Sequence, residues 1–149
     1  MKLAQSIRIS TNLGELVLEF SGLLGSDQRL RVRSLRFLRP EERPEVPDEI
    51  ADASLGAPDF EPFVQGLKHY LDRGAPLGPP SWAILDDSEF TEFQRAVYRL
   101  VSGIPFGERR TYGWVASQLG KPAAVRAVGQ ALRRNPFPLI VACHRVVGV

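Results

Sequence analysis

An α/β chain of the α+β kind is the fold class this sequence predicts, and three features predict it. Apolar and polar residues alternate through 7–20 and 30–38, the period of a strand with one covered face. Apolar residues recur at helical spacing in 60–72 and again through much of 89–134. Stretches rich in proline and glycine, 40–58 and 74–80, separate these regions. The expected division is a sheet-bearing lobe with its linker over 1–88, then a helical lobe over 89–149.

Each element has its own signal. Residues 7–20, IRISTNLGELVLEF, alternate on either side of Asn12-Leu13-Gly14, which reads as a β-hairpin. Residues 30–38, LRVRSLRFL, give a third strand whose arginines at 31, 33 and 36 are expected mostly to face water. The acidic, proline-rich 40–58 reads as loop or linker. Residues 60–72 place Phe63, Leu67, Tyr70 and Leu71 at helical spacing. Residues 89–103 put Phe93, Val97, Leu100 and Val101 on one stripe, with Gly103 as the stop. Thr111 suits the N-cap of a helix from Tyr112 to Leu119, which Gly120 breaks. Pro122 fits the opening turn of a helix over 123–134, and Asn135-Pro136 ends it. The apolar run LIVA, 139–142, reads as a short buried strand.

Bulk composition narrows the function. The chain has 149 residues, 44% hydrophobic and 24% charged, in the range of a globular protein with a full core. No apolar run is long enough to span a membrane, and the first residues lack the apolar core of a secretory signal. One cysteine excludes an internal disulfide and fits the cytoplasm. One cysteine and two histidines do not suit a structural zinc site, so no metal is expected. The net charge of +2 is unevenly spread: 10 Lys/Arg face 15 Asp/Glu in 1–89, and 9 face 2 in 90–149. A basic C-terminal part suits a polyanionic partner, although a solvated basic face has the same composition.

Two constellations carry chemistry. The helices at 112–119 and 123–134 form a candidate helix-turn-helix, in which the second helix meets DNA. That helix carries Arg126, Arg133 and Arg134 among the small residues Ala123, Ala124, Ala127, Gly129 and Ala131. Glycine inside a helix costs about 1 kcal/mol against alanine, so Gly129 suggests a close neighbour. An ordinary αα-hairpin in a core has the same pattern. The second constellation is Cys143 beside His144. A thiolate is a nucleophile, and histidine can take its proton directly or through water. On an extended strand the two side chains would point apart, so cooperation requires a turn or a bridging water. A buried, inert cysteine is the alternative.

Taken together, FQRAVYRLVSGIPFGERRTYGWVASQLGKPAAVRAVGQALRRNPFPLIVACHRVVG resembles the DNA-binding and active-site domain of the O6-alkylguanine-DNA alkyltransferases, also called methylated-DNA–protein-cysteine methyltransferases. The likeness runs from about Phe93 to Gly148 through IPFG, TYG, RAVGQA, NP and CHRVVG. It implies a ribonuclease-H-like N-terminal lobe and a winged-helix-like C-terminal lobe with the helix-turn-helix. It implies stoichiometric transfer of an alkyl group from O6-alkylguanine in double-stranded DNA to Cys143, a suicide reaction. His144 matches the histidine that relays a proton through water. Arg126 matches the finger that takes the place of the flipped nucleotide, and Tyr112 the tyrosine that crowds its phosphate. Asn135 matches the asparagine that braces the link from recognition helix to active site. Ala127, Gly129, Gln130, Arg133 and Arg145 fall on the DNA-binding side of the resemblance. The recognition helix is expected in the minor groove, and the protein is expected to be a monomer needing no cofactor.

The sequence departs from the family at two places. Ala142 stands where proline usually precedes the cysteine. Beyond Cys143 the family continues through a glycine-rich loop, a final helix and a glutamate that orients the histidine, whereas this sequence stops at Val149. Three readings remain at this point: an alkyltransferase, a non-catalytic relative that binds alkylated guanine, and an inactive homologue. Relatives of the second kind replace the cysteine, so Cys143 favours the first.

Overall fold

The computed structural model describes residues 5–21, 31–45, 60–78, 82 and 84–149. The chain separates into two units, Met1–Asp86 and Asp87–Val149.

The first unit is built on a three-stranded antiparallel sheet in the order β1-β2-β3: β1 Gln5–Thr11, β2 Gly14–Ser21 and β3 Arg31–Phe37. The expected hairpin forms around Asn12-Leu13, with Thr11 opposite Gly14. Gly14 has φ +128°, a conformation that side chains other than hydrogen rarely allow. The hairpin is also tied from outside, because the Asn12 amide donates to Asp72 Oδ1 at 2.6 Å. Ile7, Ile9, Leu16, Leu18, Phe20, Val32 and Leu35 are buried. A helix, α1 Phe60–Arg73, packs near β1 and sets Phe60 against Phe20, ring centres 5.4 Å apart.

Two expectations for this unit are corrected. The buried stripe of α1 is Phe60, Val64, Leu67 and Leu71, with Phe63 and Tyr70 only half-buried at its edges. Phe60 and Val64 extend the i, i+4, i+7, i+11 line through Leu67, which a stripe centred on the aromatic residues misses. The arginines of β3 are half-buried rather than open to water. Val17, on β2, is buried too, and Arg8 and Arg36 flank it across the ladder. Their aliphatic stems can cover it while their charged ends reach outward. Arg36 donates to Glu42 at 2.8 Å, within a 3-10 turn over Pro40–Glu45. The rest of the expected linker, 46–58, lies outside the described residues. Beyond α1, Val32 also bridges Leu85, its amide donating to the Ile84 carbonyl at 2.6 Å.

The second unit is helical. Its first helix, α2 Glu92–Ser102, opens with a capping box in which Thr91 and Gln94 satisfy each other's amides. Its buried side chains are Val97, Tyr98 and Val101, while Phe93 and Leu100 are half-buried. The expected stripe is thus rotated toward Tyr98. Gly103 ends the helix, but with φ −82° rather than in the left-handed region. A two-residue strand, β4 Arg110–Thr111, leads into α3 Tyr112–Gln118. Thr111 caps α3 as expected, accepting from the Trp114 amide at 3.0 Å. Gly120, at φ +69°, makes the turn. The second helix of the pair starts later than the sequence suggests: Pro122–Ala124 is a 3-10 turn, and α4 runs Val125–Arg133.

The run 139–142 is not a strand. Pro136 and Pro138 leave the approach to it without two amide donors, and Leu139 takes φ +74°, which breaks the extended course a strand needs. The segment curls instead: the Val141 amide donates to the Phe137 carbonyl at 2.9 Å, and the Cys143 amide to the Val141 carbonyl at 2.7 Å. Ile140, Val141 and Ala142 are nevertheless buried, so their apolar character reflects the core and not a sheet. Strand pairing resumes at β5 Val146–Val147, parallel to β4.

Candidate functional site

The exposed face of α4 is sorted by its own period. Val128, Ala131 and Leu132 are buried. Arg126, Ala127, Gln130, Arg133 and Arg134 are exposed on the other side. Among the described residues none forms an ion pair with Arg126 or Arg133, so both charges stand ready for a polyanion. Val125, beside Arg126, is an apolar residue 40% exposed. α3 packs against α4 as the first helix of a helix-turn-helix does.

Tyr112 and Gly129 meet here. A methyl group placed on Gly129 would lie 4.0 Å from Tyr112 Cε1, an ordinary van der Waals distance. The close neighbour inferred from Gly129 is therefore the tyrosine ring, and the space does not demand glycine. The half-buried Tyr112 follows directly on Thr111, whose cap and strand pairing hold it at the start of α3.

Cys143 opens a 3-10 turn, Cys143–Arg145. The turn supplies the change of direction that an extended strand would have denied to Cys143 and His144. Cys143 is half-exposed and free, and His144 is exposed. Although it is exposed, its ring loses enough water, with Arg145 beside it, to lie below the usual 6.5. His144 is accordingly neutral at pH 7 and able to accept a proton.

The cysteine turn is braced on both sides. Upstream, Asn135 Nδ2 donates to the Val141 carbonyl at 3.0 Å, and its Oδ1 accepts from the Phe137 amide at 2.9 Å. One side chain thus closes the loop from the end of α4 to the cysteine, around the strained Leu139. Asn135→Ala would leave the buried Phe137 amide without this acceptor and take one of two donors from the Val141 carbonyl, at a cost of about 1–3 kcal/mol. Thermal unfolding should show it as a drop of several degrees; an unchanged midpoint would mean the loop holds itself. Downstream, Arg145 donates to the Ile104 carbonyl at 2.7 Å and lies over the Phe106 ring at 5.5 Å. Its guanidinium thus ties the turn to the loop after α2.

Sequence reasoning missed Tyr98. It is fully buried, and its hydroxyl donates to the Ala131 carbonyl at 2.8 Å. A tyrosine adjacent to the Val97–Val101 stripe was the available signal. Two stacked cations were also missed: Arg110 over Trp114 at 5.3 Å and Lys121 over Phe93 at 5.5 Å. Arg110 is further paired with Glu108.

Comparison with known proteins agrees with this geometry. Residues 92–149 match the family described as 6-O-methylguanine DNA methyltransferase, DNA binding domain. The methylated-DNA–protein-cysteine methyltransferase of Methanosarcina acetivorans is 36% identical over 126 residues, 85% of this chain and 75% of that one. The protein of the same description from Mycolicibacterium paratuberculosis is 52% identical over 62 residues, 42% of this chain and 38% of that one. The crystal structure of Mycobacterium tuberculosis O6-methylguanine methyltransferase superposes with TM-score 0.68 at 33% identity, covering 99% of this chain and 80% of that one. The OGT of the same organism in complex with DNA gives 0.66 at 33% identity, covering 97% and 79%. With a shared fold and over a third of aligned residues identical across most of its length, the chain belongs to the methylated-DNA–protein-cysteine methyltransferase family.

Proposed function

We propose that this protein repairs DNA by taking the alkyl group of O6-alkylguanine onto Cys143, once per molecule. The observation that carries this reading is the placement of a free, half-exposed cysteine on a turn that Asn135 ties to the end of a helix with an open basic face. The relatives' names, the match to a DNA-binding domain and the likeness to a DNA complex support it.

The alkylated oxygen lies inside the duplex, so the base must leave the stack before sulfur can reach it. Unstacking costs a few kcal/mol, and a side chain filling the gap offsets part of that. Arg126, exposed near the start of α4, is the proposed filler, since a flat guanidinium can occupy a base-sized space and hydrogen bond there. Tyr112, Ala127, Gly129, Gln130 and Arg133 share its side of the helix pair and form the rest of the proposed minor-groove surface. We assign Arg145 to holding the cysteine turn. The Cys143 proton passes through water to His144. The sulfur bonds to the alkyl carbon as the carbon–O6 bond breaks, and its electron pair leaves on guanine, which takes up a proton. A thioether does not hydrolyse back, so the transfer ends the protein's working life, and the balance needs no cofactor.

The test is intact-protein mass measurement after incubation with a duplex carrying one O6-methylguanine, followed by peptide mapping. A single methyl group on Cys143 is expected; an unmodified chain would overturn the reading. The lowered pKa of His144 adds a pH signature. Below that value the ring is protonated and cannot accept. The rate should therefore rise with pH through a point below 6.5 and level off above it. His144→Ala should remove that inflection, and a profile unchanged by the substitution would deny histidine the role. No helix among the described residues is long and apolar enough to cross a membrane. We place the activity in the cytoplasm, in keeping with a single free thiol.

A further inference from the structure

We propose that Tyr98 is a positioning residue: its hydroxyl, set on the last turn of α4, couples the seating of that helix on DNA to the placement of Cys143. The proposal rests on the reading of Cys143 as alkyl acceptor. Tyr98 is fully buried in α2, and a buried phenol needs a hydrogen-bond partner. Its partner is the Ala131 carbonyl at 2.8 Å. Ala131 lies within the last four residues of α4, where carbonyls have no amide of the next helical turn to accept. The Arg134 amide also reaches this oxygen, at 3.2 Å, from the cap. At its start α4 has no side-chain cap. Its C-terminal end is therefore where a side chain from another helix fixes it.

The same ring connects to the cysteine turn. Tyr98 meets Phe90 edge to face at 5.2 Å, and Phe90 meets Phe137 at 5.8 Å. Phe137 opens the loop whose Val141 carbonyl holds the Cys143 amide. α2 also packs directly against the Cys143–Arg145 turn. Burial pushes the phenol above 10, Arg134 opposes this, and Cys143 adds to it, which places all three groups within electrostatic reach. The phenol thus stays protonated at neutral pH and keeps its donor. Arg126 is five positions before Ala131 on α4, so a load on the DNA-facing side reaches the Tyr98 bond along one rigid helix.

Tyr98→Phe keeps the ring and its aromatic contacts and removes only the donor. The experiment compares alkylation rates of the full chain and the variant, with duplex O6-methylguanine and with free O6-benzylguanine. The expected result is about tenfold slower reaction with the duplex at saturating DNA, and a change of no more than about twofold with the free base. Equal slowing on both substrates, as a general loss of packing would give, overturns the proposal, as does no change on either. An unmutated chain inert to both substrates overturns the acceptor reading and this proposal with it. A reactive chain with the wrong split overturns this proposal alone. Should Tyr98→Phe not fold, the unmutated chain with ring-labelled tyrosine carries the test. The Tyr98 resonance should move when duplex saturates the protein and again when Cys143 is methylated; a resonance indifferent to either overturns the coupling.

Discussion

Cys143→Ser takes up no methyl group from an O6-methylguanine duplex, while binding that duplex about as well as the unmutated chain. This is the largest effect expected of any single substitution. Serine is nearly the same size, so the turn, the Asn135 brace and the face of α4 are undisturbed. What changes is the nucleophile. A thiol gives up its proton far more readily than a hydroxyl and its sulfur is intrinsically reactive toward carbon, whereas a hydroxyl is a weak nucleophile. The exposed, neutral His144 does not make up that difference. Mass measurement and a DNA titration on the same sample check both halves. Methyl uptake by the serine variant would show that the acceptor lies elsewhere. Loss of DNA binding would show that the sulfur is part of the interface rather than the chemistry alone.

Arg126→Ala should slow reaction with duplex substrate by at least about tenfold and leave reaction with free O6-benzylguanine within about twofold. The argument is energetic. Flipping a nucleotide costs a few kcal/mol in lost stacking, and a side chain in the vacated space offsets part of it. The free base has no stack to leave, so it needs no filler. Arg126 is exposed, and none of the described residues forms an ion pair with it, so alanine removes nothing the fold depends on. Rates with the two substrates, measured side by side, decide the matter. Equal slowing on both would mean that Arg126 acts on the cysteine site, and the finger role would fall. The two arms also separate Arg126 from Asn135, whose loss should lower stability and so affect both substrates.

Much of the second unit was legible because its signals are local. Thr111 caps the helix that begins at Tyr112, Gly120 turns the chain, and Asn135-Pro136 stops α4 near the expected point. The hairpin around Asn12 was equally plain, since alternation and a glycine at the turn depend only on near neighbours. The errors arose where the same composition serves two geometries. LIVA is apolar enough for a buried strand, but Pro136, Pro138 and the left-handed Leu139 make it a buried turn. The stripe of α1 was centred on its aromatic residues, and the sheet selects the line through Phe60 and Val64 instead. The bond from Arg145 to the Ile104 carbonyl could not be read at all, since the two residues lie 41 positions apart in the chain.

The sequence by itself determined the motif series, the helix-turn-helix, the lone cysteine and the sign of the charge that faces outward, because capping, turns and periodicity act over a few residues. The resemblance marked Asn135 as a brace, but only the tertiary structure decided which backbone oxygens hold the cysteine turn. Asn135 on the Val141 carbonyl, Arg145 on the Ile104 carbonyl and Tyr98 on the Ala131 carbonyl are each a side chain meeting a backbone oxygen. Such a bond leaves almost no trace in sequence, since every residue offers the same carbonyl, and only folding chooses which one a given donor reaches.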